Sequence, residues 1–237
     1  VRRGGRRARA VPEAISLPPR DLADAALTEA AVTVPLAGDA APKTLLIACG
    51  ALAREILAVI DMNGLDGLAL ECLPAILHNH PDKIPDAVRG KIRAARARGV
   101  DSIHVVYADC GTGGLLDRVC EEEGVTRIAG PHCYAFFDGL DAFAARAEEE
   151  IGAFFLTDFL ARQFDTLIWK GMGLDRHPDL RDMMFGNYDR VVHLAQTDDP
   201  ALDAKAKAAA DRLGLRHVRR RTGYGELADF VRRAATI

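Results

Sequence analysis

The chain has 237 residues, 49% of them hydrophobic, and its 31 Lys and Arg against 34 Asp and Glu leave a formal net charge of −3. A balance this even offers no overall argument for nucleic acid as a partner, and no stretch reaches the roughly 20 uninterrupted apolar residues of a membrane span. The length fits one large domain or two small ones.

Residues 1–42 are rich in Arg, Gly, Ala and Pro. They read as a flexible tail with room for one short helix at "PRDLADAALTEAA", because little in them offsets the entropy of ordering. The opening arginines are not followed by an apolar core and a small-residue cleavage site, so no secretory signal is read there and a cytoplasmic location is expected. The remainder, 43–237, is expected to be a single α/β domain.

From Lys43 the pattern changes. "TLLIA" (44–48) is a short apolar run, and "ALAREILAVIDMNG" after it carries apolar residues at helical spacing with a Gly stop. The unit recurs as "LALECL" (68–73) before "PDKIPDAVRGKIRAARARG", as "SIHVVYA" before "LLDRVCEEEG", and as "TRIAG" (126–130) before "LDAFAARAEEE". Strands alternating with helices predict an α/β fold, a mostly parallel sheet in Rossmann-like βαβ units with helices on both faces. "IGAFFLTDFLARQFDTLIWKG" (151–171) has the bulk of a long, largely buried helix. "RVVHLAQ" and "LRHVRR" read as further strands flanking the helix "PALDAKAKAAADRLG", and "GELADFVRRAA" closes the chain as a helix.

Ligands in open parallel sheets bind beyond the carboxyl ends of the strands, which directs attention to the residues just past each strand. Cys49 ends the first, Cys110 comes after "SIHVVYAD", and Cys133 comes shortly after "TRIAG". If those strands are parallel neighbours, the three thiols share one rim. Five cysteines without regular spacing do not suggest a disulfide framework. Three converging thiolates suit zinc or an iron–sulfur cluster, and leave the metal a position open to substrate. Against this stands the tendency of free cysteine to be buried packing. Cys120, on an apolar helix face, is read as packing, and Cys72 is the weaker candidate for the rim.

His132 beside Cys133 is a candidate fourth ligand, and His78, in the loop "LHNHP", a candidate proton carrier. His104, His193 and His217 lie in or beside strands and are read as structural. Gly111, Thr112, Gly113 and Gly114 form a strand-to-helix loop whose amides could bind a cofactor or anion, or simply make a tight turn; the loop matches neither a dinucleotide nor a Walker motif. Arg176 and His177 in "GLDRHPDL", and Asp198 in "LAQTDDP", are candidates for positioning substrate or moving protons. Arg219, Arg220 and Arg221 suit a carboxylate or phosphate.

"ACGALAREI", "CLPAILHNHPDKIPDAVR", "DCGTGGLLD", "GPHCYAFF", "FFLTDFLARQFD", "GLDRHPDL" and "VVHLAQTDDP" together resemble the bacterial and archaeal family termed domain of unknown function 1638, from about Lys43 onward. The resemblance implies a place beside corrinoid-dependent methyltransferase systems in one-carbon metabolism, and assigns no catalytic residue. The leading expectation is therefore a metal–thiolate protein, with iron–sulfur or zinc, that acts on a small anionic substrate as a transferase or lyase. The alternatives are a non-catalytic binding or accessory protein of a methyltransferase system, and a metal-free thiol enzyme with Cys110 activated at a helix start.

Overall fold

The computed structural model describes residues 14–35 and 43–236. Two sheets organise it. The first has six strands: β1 (Ile15–Ser16), β2 (Val32–Val34), β3 (Thr44–Cys49), β4 (Leu68–Leu73), β5 (Ser102–Val106) and β6 (Thr126–Arg127), in the order β1-β2-β4-β3-β5-β6. All neighbours are parallel except β2 and β4. The second contains β7 (Ala153–Thr157), β8 (Arg190–Ala195) and β9 (Arg216–Arg221), parallel and in that order. The α/β class with Rossmann-like units is thus present, divided between two sheets.

The central strand β3, "TLLIAC", is buried along its whole length, as a parallel strand covered on both faces should be. Crossover helices connect the strands: α1 (Asp24–Glu29) ahead of β2, α2 (Ala53–Asn63) after β3, α3 (Ile84–Ala97) after β4, and α4 (Leu115–Glu122) after β5. Short helices α5 (Ala135–Asp138) and α6 (Leu140–Ala145) lead from β6 toward the second sheet. There, α7 (Asp158–Arg162), a π-helical turn (Phe164–Lys170) and α8 (Leu180–Phe185) connect β7 to β8; α9 (Pro200–Leu213) connects β8 to β9; and α10 (Gly225–Ala235) ends the chain. Helix α10 packs on α2 and α5, so the last element returns to the first sheet. One continuous cluster of buried side chains takes in residues of both sheets, among them Leu46 and Val105 from the first and Leu156 and Val191 from the second.

Two expectations are corrected. The boundary at Lys43 fails, because part of the supposed tail belongs to the fold: β2 pairs antiparallel with β4, and Leu22, Leu27, Val32 and Val34 are core residues. The rest of that segment, with its opening arginines, lies outside the described residues. The single helix expected over 151–171 is instead β7, α7 and the π-helical turn. "AFFLT" has the aromatic and β-branched content of a strand, and Thr157 caps α7 by accepting a hydrogen bond from the Leu160 amide at 3.2 Å.

The edge strand β9 carries arginines that are already paired. Arg219 meets Asp198 at 2.7 Å and Asp203 at 2.8 Å, Arg221 meets Asp198 at 3.0 Å, and Arg220 bridges Asp138 and Glu150. Charge along an exposed edge discourages further strand pairing. Among the described residues no helix is long and apolar enough to cross a membrane.

Candidate functional site

Strands β3, β5 and β6 are adjacent and parallel, so their carboxyl ends open on the same rim. Cys49 is the last residue of β3, Cys110 lies just past β5, and Cys133 lies just past β6. All three line one cavity of ≈ 170 Å³, together with Tyr107, His78 and His132. The opposite wall comes from the second sheet's side: Thr157 at the end of β7, Leu160 of α7 and Leu167 of the π-helical turn. The two loops that carry Cys110 and Cys133 are tied by backbone bonds from Asp109 N to Gly130 O and from Cys110 N to Pro131 O, both 2.9 Å. The Cys110 and Cys133 sulfurs stand 3.0 Å apart.

The thiols differ in environment. Cys49 is buried at the base, and desolvation pushes its thiol up to about 12. Cys110 is half-buried, and its hydrogen bond with the Cys133 thiol holds it below the ordinary cysteine range. Cys133, the other partner in that contact and itself desolvated, is raised well above it. One close contact thus moves the two thiols in opposite directions. Cys110 also has φ +49°, a left-handed conformation that a side chain rarely adopts. Cys72 of β4 and Cys120 of α4 are buried in the core and are not among the cavity's lining residues.

The loop 111–114 binds its own side chain. Asp109 accepts from the Gly114 amide at 2.8 Å, the Gly113 amide at 3.2 Å and the Thr112 hydroxyl at 2.8 Å. Burial pushes the Asp109 carboxyl up, but these donors outweigh it and hold it below the usual carboxylate range. The nest expected to receive a cofactor through Gly111, Thr112, Gly113 and Gly114 is therefore taken up by Asp109; Gly111 alone of the four lines the cavity.

His78 and His132 are exposed at the mouth of the cavity, where desolvation lowers both, and His132 lowers His78 further. The His132 ring stacks on Tyr134 with centroids 4.9 Å apart. Sequence spacing marks Tyr107, at the base, only as the end of a strand. It is 1% exposed and neighbours the three cysteines, and its hydroxyl has no nitrogen or oxygen partner among the described residues, the Cys49 thiol being the side chain it can donate to. The signal that could have found it is a polar-tipped aromatic at a strand exit, two residues before Asp109.

The other proposed residues are elsewhere. Arg176 and His177 are exposed in the turn before α8 and do not line the cavity, and Arg176 faces Asp175 at 3.9 Å. Asp198 is exposed and held by Arg219 and Arg221. In its place the second sheet supplies an inner carboxylate, Asp158, 1% exposed and next in sequence to the lining residue Thr157. Asp158 accepts from the Thr197 amide at 3.0 Å and the Thr197 hydroxyl at 2.6 Å, and pairs with His193 Nε2 at 3.0 Å.

The donor set at the cavity, three sulfurs with imidazoles at the mouth, is of the soft type that zinc and iron accept. Among the described residues no group of three or more His, Cys, Asp or Glu side chains is already gathered closely enough to hold an ion. The described lining includes no Lys or Arg, so the imidazoles of His78 and His132 are the side chains there that could carry positive charge.

No curated protein and no solved structure matches the chain. Residues 72–231 match the family described as Protein of unknown function (DUF1638). That span includes Cys110 and Cys133 and begins after Cys49. Since it covers more than half of the chain, the protein belongs to the DUF1638 family.

Proposed function

We propose that the cavity is a metal–thiolate centre in which Cys49, Cys110 and Cys133 hold an iron–sulfur cluster or zinc, with His132 available at the mouth and His78 placed to move a proton. What carries the reading is that three thiols far apart in sequence, from three adjacent parallel strands, line the same small cavity. Such a centre would polarise or orient a small molecule as a Lewis acid, or pass electrons if it is a cluster. A cytoplasmic role beside a corrinoid methyltransferase system is the setting in which this chemistry would serve one-carbon metabolism.

The test is metal and sulfide analysis of protein purified without oxygen. Wild type should carry iron with sulfide, or zinc, in stoichiometric amount. Single Cys→Ala variants at positions 49, 110 and 133 should each lose most of it while retaining the wild-type far-UV spectrum. Folded wild-type protein that holds neither metal after anaerobic reconstitution would overturn the proposal.

A second reading is favoured by the Cys110–Cys133 contact of 3.0 Å: a metal-free dithiol. A low-molecular-weight disulfide would accept two electrons and leave as two thiols, while Cys110 and Cys133 give up their protons and join as a disulfide. Rapid alkylation of Cys110 in metal-free protein, abolished by prior treatment with oxidised glutathione, would support it. A non-catalytic accessory protein would instead keep its ligand in the Cys110→Ala variant.

A further inference from the structure

The cavity beside the thiols has a consistent chemical character. Its described walls are mainly apolar, with Leu52, Ile84, Leu160 and Leu167 among them; they include the imidazoles of His78 and His132 but no Lys, Arg, Asp or Glu. The loop amides that could have offset an anion's charge are held by Asp109. A carboxylate or phosphate entering this space would lose its hydration and meet no Lys or Arg, which disfavours it. An uncharged ligand with an apolar body meets no such penalty.

One of the polar lining atoms lacks a strong partner. Tyr107 Oη belongs to a side chain that is 1% exposed, it has no nitrogen or oxygen partner among the described residues, and the side chain it can donate to is the Cys49 thiol, a weak acceptor. Buried phenols in folded proteins normally find a partner. A tyrosine hydroxyl keeps its proton at neutral pH, so Tyr107 is an O–H donor there. A donor that the fold matches with no more than a weakly accepting sulfur, in a cavity, indicates what the occupant should bring: a better acceptor.

We propose that the site takes an uncharged, compact molecule with an apolar body and one hydrogen-bond-accepting oxygen or sulfur, and that Tyr107 is the positioning residue that donates to it. This rests on the reading of the cavity as the functional site, and it names the ligand class that reading leaves open. The ≈ 170 Å³ volume sets the size, since an engineered apolar cavity of about 150 Å³ takes up benzene. The molecule is thus of about five to eight heavy atoms, and Tyr107 fixes which end of it faces the sulfurs.

The probes are cyclopentanone and cyclopentanecarboxylate, which share a ring and differ in charge, titrated into full-length wild type and Tyr107→Phe with binding followed by calorimetry or ligand-observed NMR. Wild type should bind the ketone and not the carboxylate. Tyr107→Phe should weaken the ketone about tenfold, as loss of one buried hydrogen bond implies. As a measurement that needs no variant, the carbonyl stretch of the bound ketone in wild type should move to lower frequency than in water-free apolar solvent. Tighter binding of the carboxylate, equal ketone affinity in folded Tyr107→Phe, an unshifted carbonyl stretch, or no ketone binding at millimolar concentration would each overturn the proposal. Metal content is measured on the same samples. Tyr107-dependent ketone binding by metal-free protein would remove the metal reading and leave this one standing, whereas metal-loaded protein that prefers the carboxylate would do the reverse.

Discussion

At the residue scale, Cys110 combines a reactive side chain with an unfavourable backbone. Its φ of +49° places it where a side chain costs about 1 kcal/mol relative to glycine. Sulfur chemistry and backbone preference oppose each other here, which is the pattern of strain kept at a functional position. The two can be separated by two substitutions that both remove the thiol. Cys110→Gly should be more stable than Cys110→Ala by about 1 kcal/mol in urea unfolding, although both should lose the metal or the dithiol chemistry. Equal stability of the two variants would mean that the backbone at 110 is not left-handed in solution.

At the element scale, the turn after β3 shows how the fold builds the site's floor. Gly50 comes directly after Cys49, and a Cβ placed there would lie 2.2 Å from the Leu27 carbonyl oxygen of α1. The N-terminal helix is thus pressed against the turn that carries the innermost thiol. On the other side, Asp158 fastens the start of α7 to the exit of β8 through Thr197 and His193. Burial pushes the Asp158 carboxyl up, but these partners outweigh it and hold it below the usual range. A carboxyl so lowered contributes stability above the ordinary carboxylate pKa and loses it as the pH falls through the lowered value. Asp158→Ala, which strands buried His193 and Thr197, should cost about 3 kcal/mol at neutral pH, measured by urea unfolding. The penalty should shrink at acid pH, where the wild-type carboxyl is protonated as well; a penalty unchanged with pH would contradict the account of a carboxylate held charged by its hydrogen-bond partners.

The parts of the fold that sequence makes readable are explained by the same elements. Period and punctuation locate β3 to β6 and their helices, and because parallel neighbours expose their carboxyl ends together, the lining positions of Cys49, Cys110 and Cys133 can be anticipated. Residues 151–171 read as a single helix because β7 passes directly into α7 with no Gly or Pro between them to mark the change. β2 escapes notice because three residues flanked by Pro-rich sequence carry almost no periodic signal. Arg176, His177 and Asp198 are polar clusters at the right kind of position, but whether a loop residue reaches a cavity depends on packing between sheets, which local spacing does not encode. Tyr107 is hidden for the opposite reason: within "VVYA" it looks like core.

At the scale of the whole molecule, the cavity draws its walls from both sheets, so the contacts that join them govern the site. Helix α2, next after β3, carries Glu55 toward α7: Glu55 Oε1 is 4.0 Å from Arg162 Nη2, while Oε2 is buried without a partner among the described residues. Arg54 also acts on Glu55 from its own helix, Asp158 acts on it from α7, and Cys49 and Tyr224 lie within its field. Desolvation dominates, and the carboxyl is raised to about 7. The sign is then opposite to that of Asp158. The native state binds a proton that the unfolded chain has released, so this group's contribution is fullest below pH 4.5, the ordinary value, and stability is lost as the pH rises from there to about 7. The loss is about 3 kcal/mol when the shift is converted at 1.36 kcal/mol per unit. Glu55→Gln keeps the shape and removes the titration, so it should unfold at higher urea concentration than wild type at pH 8 and should lose the decline between pH 5 and 7. Because Glu55 stands where the helix of one sheet meets that of the other, the same variant should narrow the pH dependence of ketone binding in the cavity. A wild-type stability that rises steadily from pH 5 to 8, or a Glu55→Gln protein less stable than wild type at pH 8, would show that Arg162 holds the carboxylate charged and that the two sheets are joined by an ion pair instead.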